Sequence, residues 1–260
     1  MHPSLERLFD LSGTVAVVTG ASRGLGVDFA RGLTKAGADL VLTARTEADL
    51  EAVAADLRQY GHEVRTVVAD VTKDADVARV IAAAVEGAGR LDILVNNAGI
   101  AALAPAEDMT EEQWSSVMDT NVRACFLCAQ HAARHMLTRG SGKIINVASM
   151  YGKVASSEGK QVSYIASKWA LHGLTAQLAV EWAPAGLHVT AISPGFFATA
   201  QGAWAFEQDP ELGKRLIARV PMGRLGRPED LEGAIVFLAS AASNFMNGSA
   251  LILDGGYLFW

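Results

Sequence analysis

Residues 15–26 read VAVVTGASRGLG and join a short apolar run to a glycine-rich turn with the spacing Gly-x-x-x-Gly-x-Gly. Glycines at such a turn let a pyrophosphate approach the N-terminus of the following helix, where free N–H groups and the helix dipole favour negative charge. The spacing differs from the Gly-x-Gly-x-x-Gly of the standard dinucleotide fingerprint. Its place directly after the first strand still predicts a nucleotide site, made by Gly20, Ser22, Arg23, Gly24, Leu25 and Gly26.

Short β-rich runs alternate with longer helical patterns along the whole chain. The strands are predicted at 15–18, 40–42, 64–68, 93–95, 143–147, 189–192 and 250–253. The helices are predicted at 24–35, 47–60, 75–86, 121–137, about 164–182, 204–219 and 228–239. Strands that are apolar without alternation are typical of a parallel sheet covered on both faces. We therefore predict a doubly wound, three-layer α/β/α fold of the Rossmann type, with about seven strands in one domain over 1–260.

The composition argues against several classes of partner. Of the 260 residues, 50% are hydrophobic and 19% are charged, which is enough for a sizeable core. The net charge is −6 and no block of Lys or Arg occurs, so we expect no nucleic-acid partner. Residues 1–13 lack the apolar region of a signal peptide, and the longest apolar runs are too short to cross a bilayer. We expect a soluble cytoplasmic protein without a membrane partner.

The two cysteines, Cys125 and Cys128, form a Cys-x-x-Cys pattern followed by His131 and His135, which raises the question of a metal or redox site. All four lie in one predicted helix, where positions 125 and 135 are about 15 Å apart along the axis. Zinc needs its ligands within about 2.0–2.3 Å, so one helix cannot supply all four. The redox motif belongs at the start of a helix rather than inside one. We expect small buried or interface residues and no metal.

Tyr164 and Lys168 are four residues apart near the start of a predicted helix, which places both side chains on one face. An ammonium beside a phenol favours the phenolate, so we expect Lys168 to lower the pKa of Tyr164 from about 10 toward neutral. Such a tyrosine can give a proton to a carbonyl oxygen or take one from an alcohol. Alone, the spacing is equally compatible with an ordinary surface pair, so its interpretation depends on the rest of the chain.

The end of the second strand indicates which nucleotide binds. The standard fingerprint has an acidic residue there for the ribose 2′-hydroxyl, whereas this chain has Ala44 followed by Arg45. A guanidinium suits a 2′-phosphate, and Arg23 in the glycine turn can reach the same group. The missing acid and the two arginines together favour NADP(H) over NAD(H).

The chain resembles the short-chain dehydrogenase/reductase family over essentially its whole length. The matching segments, in the family's order, are Thr19–Gly26, Asp70-Val71, Asn96-Asn97-Ala98-Gly99, Asn121, Ser149, Tyr164 with Lys168, Pro194-Gly195 with Thr199, and Asp254-Gly255-Gly256. Each segment is modest alone, but the ordered set is specific. The resemblance implies an NADP(H)-dependent carbonyl reductase or secondary-alcohol dehydrogenase that acts on a small molecule.

The resemblance also implies roles for individual residues. Tyr164 is the expected acid/base, and Ser149 is expected to hydrogen-bond the substrate oxygen, although outside the family a serine there would more often cap a turn. Lys168 is expected to bind the nicotinamide ribose, and Asn121 to hold a water in a proton relay behind it. The remaining expected cofactor contacts are Asp70, Val71, Asn97, Ala98, Gly99, Pro194, Gly195, Phe197 and Thr199.

Two local features depart from the commonest family pattern. Ser149 and Tyr164 are slightly further apart than is common, so we expect a longer loop over 153–161 beside the active site. The C-terminal residues 257–260 are apolar and aromatic, and we expect them to pack at a subunit interface or beside the active site. Since family members are commonly homotetramers, the resemblance implies a homotetramer here.

The substrate is the least determined part of the prediction. The family places a substrate lid at about residues 196–225, which here holds four aromatic residues, Phe196, Phe197, Trp204 and Phe206, and three basic residues, Lys214, Arg215 and Arg219. The aromatics are either pocket lining or ordinary packing, and the basic residues either meet an anionic substrate or, as we favour, face water.

Residues 9–13 and the lid start resemble sugar-acid dehydrogenases of the gluconate 5-dehydrogenase type. Similar features occur in 3-oxoacyl-carrier-protein reductases and broad carbonyl reductases. A non-catalytic nucleotide sensor is a remote alternative, because such proteins tend to lose the Ser, Tyr or Lys.

Overall fold

The computed structural model describes residues 2–156, 159–198 and 210–259. Its centre is a parallel sheet of seven strands: β1 Val15–Thr19, β2 Asp39–Ala44, β3 Val64–Val68, β4 Ile93–Asn96, β5 Gly142–Val147, β6 Leu187–Pro194 and β7 Ala250–Leu253. The strand order is β3-β2-β1-β4-β5-β6-β7, and every pairing is parallel. The predicted doubly wound α/β fold is confirmed.

Helices connect the strands and cover both faces of the sheet. They are α1 Pro3–Phe9, α2 Leu25–Lys35, α3 Glu47–Leu57, α4 Asp74–Ala88, α5 Glu111–Met118, α6 Ala124–Arg139, α7 Val162–Trp182, α8 Pro210–Ala218 and α9 Pro228–Ala239. The predicted bounds agree closely for α2, α4, α7 and α9. The helix predicted over 204–219 is described only from residue 210 onward. In the described part of the chain, no helix is both long and apolar enough to cross a membrane.

The sequence did not predict α1, α5 or the start of α6. Helix α1 buries none of its residues, so it leaves no periodic apolar signal to detect. Before α6, residues 119–123 form a π-helical turn that continues directly from α5. The run predicted to begin at 121 is therefore helical throughout, but its first residues have the wider π geometry.

Two apolar cores lie on opposite faces of the sheet, and β1 contributes to both. Ala16 and Val18 pack with α2, α3 and α9 on one face. Val15 and Val17 pack with α4, α6 and α7 on the other. This double burial is why the strands are apolar without alternation. Since all strands run the same way, their carboxyl ends meet at one edge, and the order reverses between β1 and β4.

The glycine turn after β1 is clamped to the end of β4. The Thr19 hydroxyl oxygen accepts hydrogen bonds from the main-chain N–H groups of Asn97 and Ala98, each at 3.0 Å. The Asn97 amide donates to the carbonyls of Thr19 at 2.9 Å and Gly20 at 3.0 Å. A Cβ on Gly26 would lie 2.4 Å from the Gly20 carbonyl oxygen and 2.6 Å from the Asn97 amide nitrogen. Only glycine fits at residue 26 without moving the clamp.

We expect Gly26→Ala to lower the free energy of unfolding by about 1–3 kcal/mol, because its methyl group overlaps main-chain atoms that the clamp holds in place. Thermal unfolding measures the effect. Gly233→Ala in α9 is the matched control, since its Cβ would meet nothing within 4 Å. We expect that control to be neutral or stabilising by up to ~1 kcal/mol. Equal melting temperatures for Gly26→Ala and the unchanged protein would contradict the clamp.

Candidate active site

Tyr164 and Lys168 lie in the first two turns of α7, at the carboxyl edge of the sheet. The Lys168 ammonium is buried, donates to the Val147 carbonyl at 2.7 Å and lies 5.5 Å from the centre of the Tyr164 ring. The predicted arrangement on one helix face is confirmed. Because Val147 ends β5, this contact fixes the start of α7 over the end of that strand.

Ser149 follows β5 and reaches Tyr164 from the sheet side. Its backbone is extended, and its hydroxyl accepts from the Tyr151 N–H at 3.1 Å, which caps the short 3₁₀ turn over 150–152. The same hydroxyl lies close enough to the Tyr164 phenol to act on its pKa, which it lowers. Of the two interpretations of Ser149 that the sequence left open, the turn cap is confirmed, and the hydrogen bond to a substrate oxygen stays a prediction.

The structure contradicts the expected effect of Lys168 on Tyr164. The pKa of Tyr164 is raised, because burial destabilises the phenolate more than the Ser149 hydrogen bond stabilises it. Burial also lowers the pKa of Lys168 from 10.5 to about 8. The prediction was wrong because helical spacing shows only that the groups are close. The fold buries Lys168, partly buries Tyr164 and directs the ammonium to the Val147 carbonyl rather than to the phenol oxygen.

These pKa directions define what the site can do. A phenol with a raised pKa stays protonated at neutral pH and can donate its proton to a carbonyl oxygen held beside Ser149. The reverse step, removal of a proton from an alcohol, needs the phenolate and is favoured at alkaline pH. The arrangement suits proton transfer to and from a substrate oxygen.

Asn121 lies in the π-helical turn and connects three segments. Its amide nitrogen donates to the Ile100 carbonyl and to the Ser167 hydroxyl, both at 2.9 Å, and its oxygen accepts from the Ile100 N–H at 2.8 Å. Ser167 in turn donates to the Tyr164 carbonyl at 2.7 Å. Both amide protons are used, so the side chain links the segment after β4 to the first turn of α7. Its part in a proton relay stays a prediction.

Sequence reasoning missed His172, which follows Lys168 by one helical turn on α7. Its ring hydrogen-bonds the main chain of Ser149, and its Nε2 lies 3.4 Å from the Ser193 hydroxyl. Burial lowers the pKa of His172, and the nearby ammonium of Lys153 lowers it further. The neutral ring thus helps to position Ser149. The spacing of four from Lys168 was the available signal, but a lone histidine on a helix is more often simply packed.

The expected cofactor residues lie along the carboxyl ends of β1, β2 and β3. Arg23 and Arg45 are both exposed there. Asp70 accepts from the Thr72 N–H at 3.1 Å and from its hydroxyl at 2.8 Å. Burial alone would raise the pKa of Asp70, but these bonds, with smaller contributions from Lys73 and Arg45, lower it. Val71 is buried beside it.

The other expected cofactor residues follow β4 and β6. Asn97 and Ala98 belong to the clamp on the glycine turn, and a Cβ on Gly99 would lie 3.3 Å from the Asn121 side-chain oxygen. Pro194 ends β6, and the Gly195 N–H donates to the Leu253 carbonyl at 2.8 Å. Phe197 pairs with Gly226. Thr199, Trp204 and Phe206 lie outside the described residues.

Cys125 and Cys128 are buried in α6, as predicted. Burial raises the pKa of both thiols, that of Cys128 to about 12. Cys125 donates to the Asn146 side-chain oxygen at 3.1 Å, whereas His131 lies 2.9 Å from Asp74. Cys125 and His131 thus bind different partners. In the ranges that the structure describes, no cluster of three or more His, Cys, Asp or Glu side chains could hold a metal.

An aromatic cluster borders Tyr164. Tyr151, Phe196 and Tyr257 pack edge to face, with ring centres 5.5–6.5 Å apart, and Tyr164 packs against this cluster. Tyr257 is 7% exposed, so the C-terminal segment packs beside the active site, one of the two places expected for it. Phe259 remains 89% exposed.

Comparison with known proteins gives the family. A short-chain dehydrogenase/reductase model, described as an enoyl-(acyl carrier protein) reductase, matches residues 20–258. The chain belongs to the short-chain dehydrogenase/reductase family. It is accordingly an oxidoreductase.

Relatives and solved structures within the short-chain dehydrogenase/reductase family include sugar-acid and polyol enzymes. The chain is 42% identical over 255 residues to gluconate 5-dehydrogenase of Gluconobacter oxydans (strain 621H), covering 98% of this chain and 97% of that protein. It is 40% identical to an L-tagatose-forming galactitol 2-dehydrogenase of Cereibacter sphaeroides, covering 97% of this chain and 98% of that protein. The crystal structure of a gluconate 5-dehydrogenase from Burkholderia cenocepacia J2315, in complex with NADP and tartrate, superposes with a TM-score of 0.91 at 38% identity, covering 98% of both chains.

The buried ammonium of this short-chain dehydrogenase/reductase predicts a specific pH dependence of stability. Between the folded pKa of about 8 and the ordinary lysine pKa of 10.5, the unfolded chain keeps a proton at Lys168 that the folded chain has lost. Stability should therefore rise with pH in this window relative to Lys168→Met, by up to ~3 kcal/mol in all. Urea unfolding of both proteins at about pH 7 and about pH 9.5 measures the difference. A difference that stays constant or falls with pH would contradict the buried charge.

Proposed function

We propose that the protein is an NADP(H)-dependent dehydrogenase that interconverts a secondary alcohol and a ketone, with sugar acids as its substrate class. The observation that carries the proposal is the Tyr164 phenol with the Ser149 hydroxyl beside it and the Lys168 ammonium 5.5 Å from its ring, all near the carboxyl end of β5. Two hydroxyls that meet at one point can hold a substrate oxygen between them. The nearby buried Lys168 adds a third polar group to this edge of the sheet.

The chain's own residues divide the work as follows. Ser149 donates a hydrogen bond to the substrate oxygen and holds it against Tyr164. Tyr164 gives its proton to that oxygen during reduction and removes the proton during oxidation. Lys168 positions the cofactor ribose, and Asn121 keeps the first turn of α7 in register with the segment after β4. NADP(H) supplies or accepts the hydride.

The residues at the glycine turn fit a dinucleotide phosphate. Helix α2 begins after Gly24, and no side chain caps its N-terminus, so the first N–H groups of the helix are available to an anion. A Cβ on Gly24 would meet nothing within 4 Å, which leaves open space in front of the turn. A pyrophosphate is the anion that this combination suits.

Arg45 and Arg23 support NADP(H) over NAD(H). Both guanidiniums are exposed where β1 and β2 end, and neither forms an ion pair with the described residues. An acidic residue that would select the free ribose hydroxyl is missing after β2, where Ala44 is followed by Arg45. The NADP in the Burkholderia cenocepacia structure supports the same assignment.

The relatives supply the support for sugar acids. The gluconate 5-dehydrogenase covers nearly the whole chain at 42% identity. The galactitol 2-dehydrogenase at 40% identity makes neutral polyols the second candidate. Sugar acids carry a carboxylate and neutral polyols do not, so an assay that compares the two kinds of substrate distinguishes the candidates.

We also propose a homotetramer. The outer faces of α5, α6 and α7 expose large apolar side chains, among them Trp114 at 39%, Phe126 at 38%, Trp169 at 51% and Val180 at 73%. Apolar surface of this kind on neighbouring helices is typical of a subunit interface.

The substrate class is tested by assaying gluconate, galactitol, their keto products and an acetoacetyl thioester with NADP(H). We expect turnover of the sugar acid that falls by at least about 100-fold in Tyr164→Phe, because the substrate oxygen then has no proton partner. NADPH fluorescence titration should show unchanged cofactor binding in the variant. Tyr60→Phe, which removes a phenol far from Ser149, is the matched control. Undiminished turnover in Tyr164→Phe would overturn the assigned acid/base.

Arg45→Asp should weaken NADP binding by about 10- to 100-fold, because a charge-assisted contact to the 2′-phosphate becomes a repulsion. Binding of NAD, which lacks that phosphate, should change much less. Dissociation constants for both cofactors, measured by fluorescence titration, give the comparison. Arg7→Asp in α1 makes the same charge change at a distance and should affect neither. A wild-type preference for NAD would contradict the role of Arg45.

Light scattering coupled to size-exclusion chromatography should give a mass about four times that of the 27.4-kDa chain. Trp169→Glu should reduce it, because a charge would be buried where the outer face of α7 meets another subunit. A wild-type mass equal to one chain would contradict the tetramer.

A further inference from the structure

Arg219, immediately after α8, is a cation that forms no ion pair with the described part of the chain. Its guanidinium carbon lies 5.5 Å from the centre of the Tyr257 ring, and the side chain is exposed. Its neighbours in the chain are neutralised: Lys214 pairs with Glu211 at 2.7 Å, and Arg224 pairs with Asp230 at 2.6 Å. Within the described residues, no carboxylate forms an ion pair with Arg219.

The aromatic cluster connects Arg219 to the catalytic tyrosine. The Tyr257 ring that carries the guanidinium packs against Phe196 at 5.5 Å and Tyr151 at 6.5 Å between ring centres. Tyr164 packs against the same cluster. Burial raises the pKa of Tyr151, on the other side of the cluster, to about 12, and the charge of Arg219 is a minor influence that opposes this rise.

We propose that Arg219 binds the carboxylate of the substrate while the reacting carbon lies at Tyr164. This inference rests on the proposed function and narrows it to anionic substrates. A guanidinium has a planar fork of N–H donors that matches a carboxylate, and stacking on a ring leaves those donors free at its edge. The stacked position also restricts the side chain before the substrate arrives, which reduces the entropy lost on binding.

A local cation would offset the charge of the whole chain. With a net charge of −6, the protein's overall field does not attract an anionic substrate. The Arg219 guanidinium, which pairs with none of the described carboxylates, would supply that attraction locally. The same charge would give no advantage with a neutral polyol, so Arg219 distinguishes the two substrate classes that the relatives leave open.

The test compares gluconate with its neutral amide, gluconamide, in the intact enzyme with NADP. In Arg219→Met, which keeps an apolar side chain of similar length on Tyr257, we expect KM for gluconate to rise by about 10- to 100-fold. KM for gluconamide should stay the same, so the preference for the acid over the amide should disappear. Arg219→Lys should restore part of that preference. Lys214→Met removes a paired cation from α8, the helix that precedes Arg219. This control should leave KM unchanged for both substrates.

The outcomes separate this inference from the proposed function. If Arg219→Met raises KM for both substrates equally, or for neither, the carboxylate contact is overturned while the dehydrogenase activity stands. If the wild-type enzyme oxidises galactitol but not gluconate, the anionic substrate class is overturned and a polyol dehydrogenase remains. If no alcohol is oxidised at all, the proposed function itself fails.

Discussion

The contact between the Lys168 ammonium and the Val147 carbonyl is the interaction on which the candidate active site depends. It joins α7 to the carboxyl end of β5 at 2.7 Å. Ser149 follows Val147 by two residues and Tyr164 precedes Lys168 by one helical turn, so one contact brings both hydroxyls to the same place. A buried network of side chains also joins β4 and β5 to α7. Asn96 donates to Asn146 at 3.0 Å, and Asn146 donates to Thr175 of α7 at 2.9 Å. Strand and helix are thus held in a single arrangement.

This arrangement has an energetic consequence. A lysine in an apolar interior loses hydration, and one carbonyl replaces only part of it, so the charged form is disfavoured. Loss of hydration likewise disfavours the charged form of Tyr164, the phenolate, and therefore raises the pKa of the phenol. Both shifts move the groups toward their neutral forms. Functional sites commonly keep such unfavourable burial because the reaction needs it, and the surrounding apolar cores supply the stability.

Most of the architecture was readable from local patterns, because strands and helices impose short periods on the sequence. Seven apolar runs predicted the seven strands, and the turn at 20–26 marked the first crossover. The residues of the candidate site were readable from their family order, and their roles stay predictions. Helix α1 was not readable, because it buries none of its residues. The π-helical turn around Asn121 and the contacts of His172 were not readable either, since each depends on segments distant in sequence. The effect of Lys168 on Tyr164 was predicted with the wrong sign for the same reason: spacing gives proximity but not burial.

The sequence by itself determined the fold class, the position of the glycine turn, the Tyr164–Lys168 spacing and the missing acid after β2. These are properties of short segments, fixed by backbone geometry and residue type. Only the tertiary structure decided which groups are buried, which cations are already paired and which partner each donor reaches. Burial shifts the pKa values of Tyr164 and Lys168, and the fold places Arg219 over Tyr257 with no ion-pair partner among the described residues. The physical reason is that desolvation and hydrogen bonding depend on three-dimensional neighbours, which in this fold come from strands and helices far apart in the chain.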